Sequence, residues 1–236
     1  MNEVWSLEEL YTGWEDERFL EDIQKLDQKI QEFNEFADKK LLSDNKTEQR
    51  EIIREGLLKL EEIAQLQTNL GVYCVLRQSA DTTDSQSASY SGLIEKKSSN
   101  MTKAYTRLKS YIANVTDLTE VIGEDEILKE YKDLLEQIKE AVKYQRSEDV
   151  EEVITKLNLS GGTAWSDLQS YLTSMVKVEY NGETTTLSAI RNLAYSSDAT
   201  VRKAAYEAEL ACYEKFRMQL HFHLTVLNCR LLRQQN

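Results

Sequence analysis

The sequence predicts a mainly α protein, an antiparallel bundle of long helices with one small β-hairpin near 175–186. Three observations predict it. Apolar residues recur at spacings of three and four along most of the chain, as in Phe19, Ile23, Leu26, Ile30 and Phe33. The chain contains no proline, so long helices meet no built-in break. One stretch, 158–187, changes character: Val176, Val178 and Tyr180 alternate with Lys177 and Glu179, and Asn181-Gly182 and a run of threonines follow. Asn-Gly after alternating residues signals a hairpin, because a type I′ turn needs positive φ at both central positions.

At the start, Ser6 with Glu9 three residues on predicts a capping box for a short helix ended by Gly13. A second amphipathic helix is expected from Glu15 and a turn at 41–45. The next helix runs from about Thr47, with Ile53, Leu57, Leu60, Ala64 and Gly71 on its apolar face. Beyond Leu66 it turns apolar nearly all round, through Leu70, Val72, Tyr73, Cys74, Val75 and Leu76. That pattern predicts a central helix buried on every side. After a polar break at 81–84, one helix is expected to carry Leu93, Met101, Tyr105, Leu108, Ile112 and Val115. Its many Ser and Thr residues are weak helix formers, so packing must hold it.

Gly123 separates that helix from a stripe through Ile127, Leu128, Tyr131, Leu134, Leu135, Ile138 and Val142. A short helix follows through Val150, Val153, Ile154 and Leu157. Gly161-Gly162 is expected to end it, and Thr163 to cap a helix with Trp165, Leu168 and Leu172 on one face. Trp165 is expected to be largely buried beside the hairpin, since indole carries a large apolar area. Leu187-Ser188 then starts a helix through Ile190, Leu193 and Ala194. Ser197-Asp198 caps the next, whose Val201, Ala204, Ala205, Ala208 and Ala211 form a small-residue face.

Charge excludes several classes of partner. With 41 acidic against 29 basic residues the net charge is -12, which repels nucleic-acid phosphates and anionic lipid. No apolar run is long enough to span a membrane. The first residues lack the basic start and apolar core of a signal peptide, so a cytoplasmic location is expected. Cys74, Cys212 and Cys229 are odd in number and far apart, which suits reduced thiols better than disulfides. None has a partner histidine at a recognisable spacing. His221 and His223 are the two histidines. In a helix their rings lie on nearly opposite faces, and in a strand no third donor stands nearby. Gly161-Gly162 lacks the Lys-Ser/Thr of a phosphate loop. No catalytic, cofactor-binding or metal-ligating residue is therefore assigned.

An ordered set of pieces carries a resemblance. It comprises Trp5-Ser-Leu-Glu-Glu-Leu-Tyr11, Ser79-Ala-Asp-Thr-Thr-Asp84, Gly162-Thr-Ala-Trp165 with Leu168, the Asn181-Gly182 turn, Leu187-Ser188 and Val201-Arg-Lys-Ala-Ala205. In this order and at these distances they resemble the N-terminal half of the oligoendopeptidase F family, thimet-oligopeptidase-like zinc metallopeptidases. The resemblance covers nearly all of 5–215. It implies one helical wall of a deep cleft that admits short peptides. It also implies, in a full-length member, a zinc held by a His-Glu-x-x-His helix and a further Glu. This sequence has no such motif, so the chain alone is expected to be inactive, truncated before the catalytic part, and to bind no zinc. The alternative is an all-α module that binds a peptide or protein without catalysis.

Residues 216–236 differ from the rest. They contain no acid in an otherwise acidic chain, and both histidines. The resemblance stops at Glu214-Lys215 without a turn signal, which predicts an atypical tail from a shifted reading frame. Its apolar residues, such as Leu220, Phe222 and Leu224, are expected to promote self-association.

Overall fold

A computed structural model describes residues 6–42, 48–81, 84–214 and 217. They fall into two compact units, Met1–Lys156 and Leu157–Asn236. The hairpin strands are the only strands among the described residues, and the other regular elements are helices.

The first unit is built on α1 (Glu17–Lys40) and α2 (Gln49–Ala80). Asp16 caps α1, its carboxylate accepting from the Arg18 N–H. The expected stripe faces inward, with Phe19, Ile23, Leu26, Ile30 and Phe33 all buried. The two helices run antiparallel. Phe19, early in α1, meets Tyr73, late in α2, whereas Phe36, late in α1, approaches Gly56, early in α2. A Cβ on Gly56 would lie 3.0 Å from Leu108 and 3.3 Å from Phe36, so glycine permits this close approach.

One expectation for α2 fails. Its distal half is not buried all round: Tyr73 and Cys74 are buried, but Val72, Val75 and Leu76 are 42%, 57% and 42% exposed. α1, α3 and the segment of Tyr11 and Trp14 cover the side of α2 that carries Tyr73 and leave the opposite side open. Ala64 is also exposed. At the chain start, 8–10 form a turn rather than the expected capped helix. Ser6 accepts from the Glu8 N–H, not from further along.

The single helix expected to carry Leu93 to Val115 is two, α3 (Ser85–Ser99) and α4 (Thr102–Ala113). At the break, Ser98, Ser99 and Thr102 hydroxyls donate to the carbonyls of Ile94, Lys96 and Ser99. Such back-bonds compete with the helical ladder. Asp84 caps α3. Ile94 is buried while its neighbour Leu93, about 100° round α3, stays outside. α3 lies along α1, with Tyr90 on Phe19, a Lys97–Asp27 ion pair and the Asn34 amide donating to the Asn100 carbonyl.

The end of this layer is closed by an aromatic cluster. Tyr11, Trp14, Phe19, Tyr73 and Tyr90 meet with ring centroids 4.9–5.6 Å apart, mostly edge to face. The Trp14 and Tyr90 rings stack, and the Arg77 guanidinium lies 5.5 Å from the Trp14 ring centre. The Tyr11 hydroxyl donates to Asp22.

Four short helices complete the unit: α5 (Leu118–Ile122), α6 (Glu126–Glu130), α7 (Lys132–Ala141) and α8 (Glu148–Asn158). Gly123 ends α5 at φ +48, a left-handed position that suits glycine, and Arg50 donates to the carbonyls of Glu120 and Val121 there. The stripe expected over 127–142 breaks at Tyr131. Leu128, Leu135 and Ile138 are buried and Leu134 is exposed.

In the second unit, a π turn (Leu159–Thr163) leads into α9 (Ala164–Met175). Gly161-Gly162 therefore does not stop the chain. Neither glycine has positive φ, and Thr163 is helical with no capping bond. The hairpin forms as expected. β1 (Lys177–Tyr180) and β2 (Glu183–Thr186) pair antiparallel, Val178 opposite Thr185, with Asn181 at φ 52 and Gly182 at φ 82. Thr186 caps α10 (Leu187–Asn192) and Asp198 caps α11 (Ala199–Tyr213). Val178, Leu187, Ile190, Ala205 and Cys212 form the core. Ala205 of the expected small-residue face is buried, while Ala211 is exposed. Trp165 is only partly buried and is not among the side chains of that core.

Two outcomes test this fold. Tyr73→Ala removes a ring buried within the aromatic cluster. It is expected to cost about 3–5 kcal/mol, read as a lower urea midpoint. In the second unit, Glu209 accepts from Tyr213 and Arg191, which hold its carboxyl below the ordinary 4.5. That stabilisation is fully present above pH 4.5 and fades as pH falls through the lower folded value. Glu209→Gln should flatten the acid limb of unfolding curves followed on a probe in α11.

Candidate functional site

The first unit holds an open cavity of about 670 Å³ between α2, α4, α6–α7 and α8. Its apolar lining includes Leu57, Leu60 and Ala64 of α2, Met101 at the N-cap of α4 and Tyr105 within it, with Leu134 of α7. Helical periodicity puts these residues there. Leu57, Leu60 and Ala64 share one face of α2, and Met101 and Tyr105 lie one turn apart. The break at Asn100-Met101 re-aims α4 after α3 and brings Met101 into the lining.

Polar groups stand around this surface: Glu61, Gln67, Lys109, Glu151 and Thr155. Gln67 donates to Ser98 at 2.7 Å. The Lys109 ammonium sits 4.8 Å from the Tyr105 ring centre. Burial, reinforced by the Glu61 carboxylate, pushes the Tyr131 hydroxyl above its ordinary pKa of 10.0 and keeps it a proton donor. An apolar surface with a few directed polar groups suits binding of an apolar side chain with a polar backbone beside it.

Behind the cavity, Arg107 joins three helices. Its Nε and Nη2 donate to the two oxygens of Glu148 at 3.0 and 2.6 Å, and its Nη1 donates to Asp38 at 2.6 Å. These carboxylates hold the guanidinium well above its ordinary pKa. Lys103 pairs with Asp149 at 2.8 Å and Glu152 at 3.1 Å.

The residues weighed from sequence lie elsewhere. Cys74 and Cys212 are buried and unbridged, and burial pushes the Cys74 thiol above its ordinary value, away from the reactive thiolate. Cys229, His221 and His223 lie outside the described residues. Among the described residues, no three His, Cys, Asp or Glu side chains are placed to hold a metal ion. These residues do not fit a catalytic zinc, which needs three protein ligands and an open position. Among them also, no helix is long and apolar enough to cross a membrane. In the sequence Tyr131 reads only as part of an apolar stripe, and Glu61 and Arg107 as ordinary surface charges. Their roles come from partners on other helices, which no local spacing signals.

Residues 114–177 match the family model described as Oligopeptidase F. No curated protein sequence matches the chain. The fold is similar to the crystal structure of oligoendopeptidase-F from Enterococcus faecium, with a TM-score of 0.55 and 21% identity. The similarity covers 90% of this chain and 43% of that one, so the chain spans less than half of that protein's length. The helical fold and the matched segment bear out the resemblance to the N-terminal part of oligoendopeptidase F-like peptidases.

The cavity makes one direct claim. An apolar fluorescent probe such as anilinonaphthalene sulfonate should bind there. Leu60→Glu, at a partly buried position, should weaken that binding by roughly tenfold without unfolding the chain. Unchanged binding would place the probe elsewhere.

Proposed function

We propose that the chain forms the N-terminal helical wall of a peptide-admitting cleft in an oligopeptide-hydrolysing zinc metalloendopeptidase, and that by itself it hydrolyses nothing. The observation that carries this reading is the overlap of cavity and family segment. Tyr131, Leu134, Glu151 and Thr155 line the cavity and all fall within 114–177. An extended peptide would rest its apolar side chains on Leu57, Leu60 and Met101, and its backbone groups would meet Gln67, Tyr131 and Thr155. Zinc and the general base would come from a His-Glu-x-x-His helix, which this sequence does not contain.

The purified chain is expected to contain no stoichiometric zinc by elemental analysis and to leave a fluorogenic peptide intact. Short unstructured peptides should nevertheless shift the NMR signals of Met101 and Tyr105. Chelator-sensitive hydrolysis by a clean preparation would sink the proposal. Peptide binding with no link to a peptidase would instead favour a non-catalytic interaction module, a reading the self-contained cavity also supports. The coding sequence beyond codon 236 separates the two: a His-Glu-x-x-His in a shifted frame supports the peptidase wall.

The acid-free segment 216–236 is proposed to stand apart from the domain at 1–215. Deleting it should leave cooperative unfolding intact and reduce self-association in sedimentation velocity. Loss of cooperativity would make it an integral element.

A further inference from the structure

The lining of the cavity carries one cation and two carboxylates, Lys109, Glu61 and Glu151. Among the described residues none of the three stands in an ion pair. Lys109 contrasts with the other cations of α4. Arg107 is met by Glu148 and Asp38, and Lys103 by Asp149 and Glu152. Lys109 is partly buried, and its ammonium lies 4.8 Å from the Tyr105 ring centre. An aromatic face attracts an ammonium without neutralising it.

The carboxylates are in the same state with the sign reversed. Glu61 lies beside the neutral Tyr131 hydroxyl. Glu151 accepts from the Arg146 backbone N–H at 2.8 Å. Neither partner carries the charge that would neutralise it. The bidentate Arg107–Glu148 pair fixes α8, so Glu151 keeps its place on the wall. Charges beside a wall of low dielectric act on an incoming opposite charge more strongly than charges in open water.

A ligand that answers this lining carries an ammonium, a carboxylate and apolar groups between them. A simple carboxylic acid would meet two like charges, and a simple amine would meet Lys109. A short peptide with both ends free has the required constitution. Size agrees with this. The cavity of about 670 Å³ lies within the roughly 300–1,000 Å³ of sites that enclose a small ligand. Along α4 the rise from Met101 to Lys109 is about 12 Å, the reach of about four extended residues.

We propose that the cavity selects a short peptide by its two free ends, with the ammonium on Glu61 and Glu151 and the carboxylate on Lys109. Its apolar side chains lie on Leu60, Met101 and Leu134. The inference rests on the peptide reading above and narrows it: this wall holds the ends of a small fragment rather than the interior of a long chain.

The test uses the full chain and the tripeptide leucyl-alanyl-leucine in four forms: free, N-acetylated, C-amidated and capped at both ends. Titrations followed on the Met101 methyl NMR signal give the dissociation constants. The free form should bind tightest, and each cap should weaken binding roughly tenfold by removing one charge-assisted contact. Lys109→Met keeps the apolar stem. It should abolish the effect of amidation and leave that of acetylation. Glu61→Gln with Glu151→Gln should do the reverse. Caps that leave binding unchanged or tighten it would overturn end recognition while the peptide reading stands, as would binding of a longer, doubly capped peptide alone. Binding of no peptide, short or long, would sink both. If a variant loses its helical circular dichroism, the four constants of the unsubstituted chain decide.

Discussion

The packing of Tyr73 against Phe19, Tyr11 and Trp14 is the constraint on which the first unit depends. It pins the end of the 32-residue α2 to the start of the 24-residue α1. With that end fixed and Phe36 against Gly56 at the other, the two helices are aligned along their length. α3 then follows α1 because Tyr90 joins the same aromatic cluster, and α4 returns to the seam through Leu108. Edge-to-face geometry makes this cluster directional as well as apolar, so it sets register and not only association.

The cavity is a consequence of that alignment. α2 and α4 are held close near Gly56 and Leu108 and leave the surface of Leu60, Ala64, Met101 and Tyr105 open beyond the contact. Short helices fill the remaining space incompletely. α6 and α7 bring Tyr131 and Leu134 to one side, while α8 is held by charge from Arg107 and Lys103. Close packing holds one end of this seam, and ion pairs from α4 hold α8 at the other.

Glu61 and Arg107 show how charged side chains act on groups from other helices. The Glu61 carboxylate helps keep the Tyr131 hydroxyl protonated. Arg107 satisfies two carboxylates from different helices with a single planar fork. In both cases a charged side chain positions groups on neighbouring helices.

Much of the fold was legible in the sequence because its signals are local. The α1 stripe, the Asp198 cap, the Gly123 stop and the Asn181-Gly182 turn depend on residues within a few positions of each other. The helix breaks at Asn100-Met101 and Tyr131 were less legible, since hydroxyl back-bonding and short capping turns interrupt a stripe that continues in periodicity. What only the tertiary structure decided is which side of each helix is covered. Val72, Val75 and Leu76 look like core residues in sequence, as does the stripe of α8, and both stand in water. The site followed the same rule: Leu60, Met101 and Tyr131 are far apart in sequence and line one cavity. Periodicity states that a helix has an apolar face, but burial of that face requires a neighbour, and neighbours are supplied from distant parts of the chain.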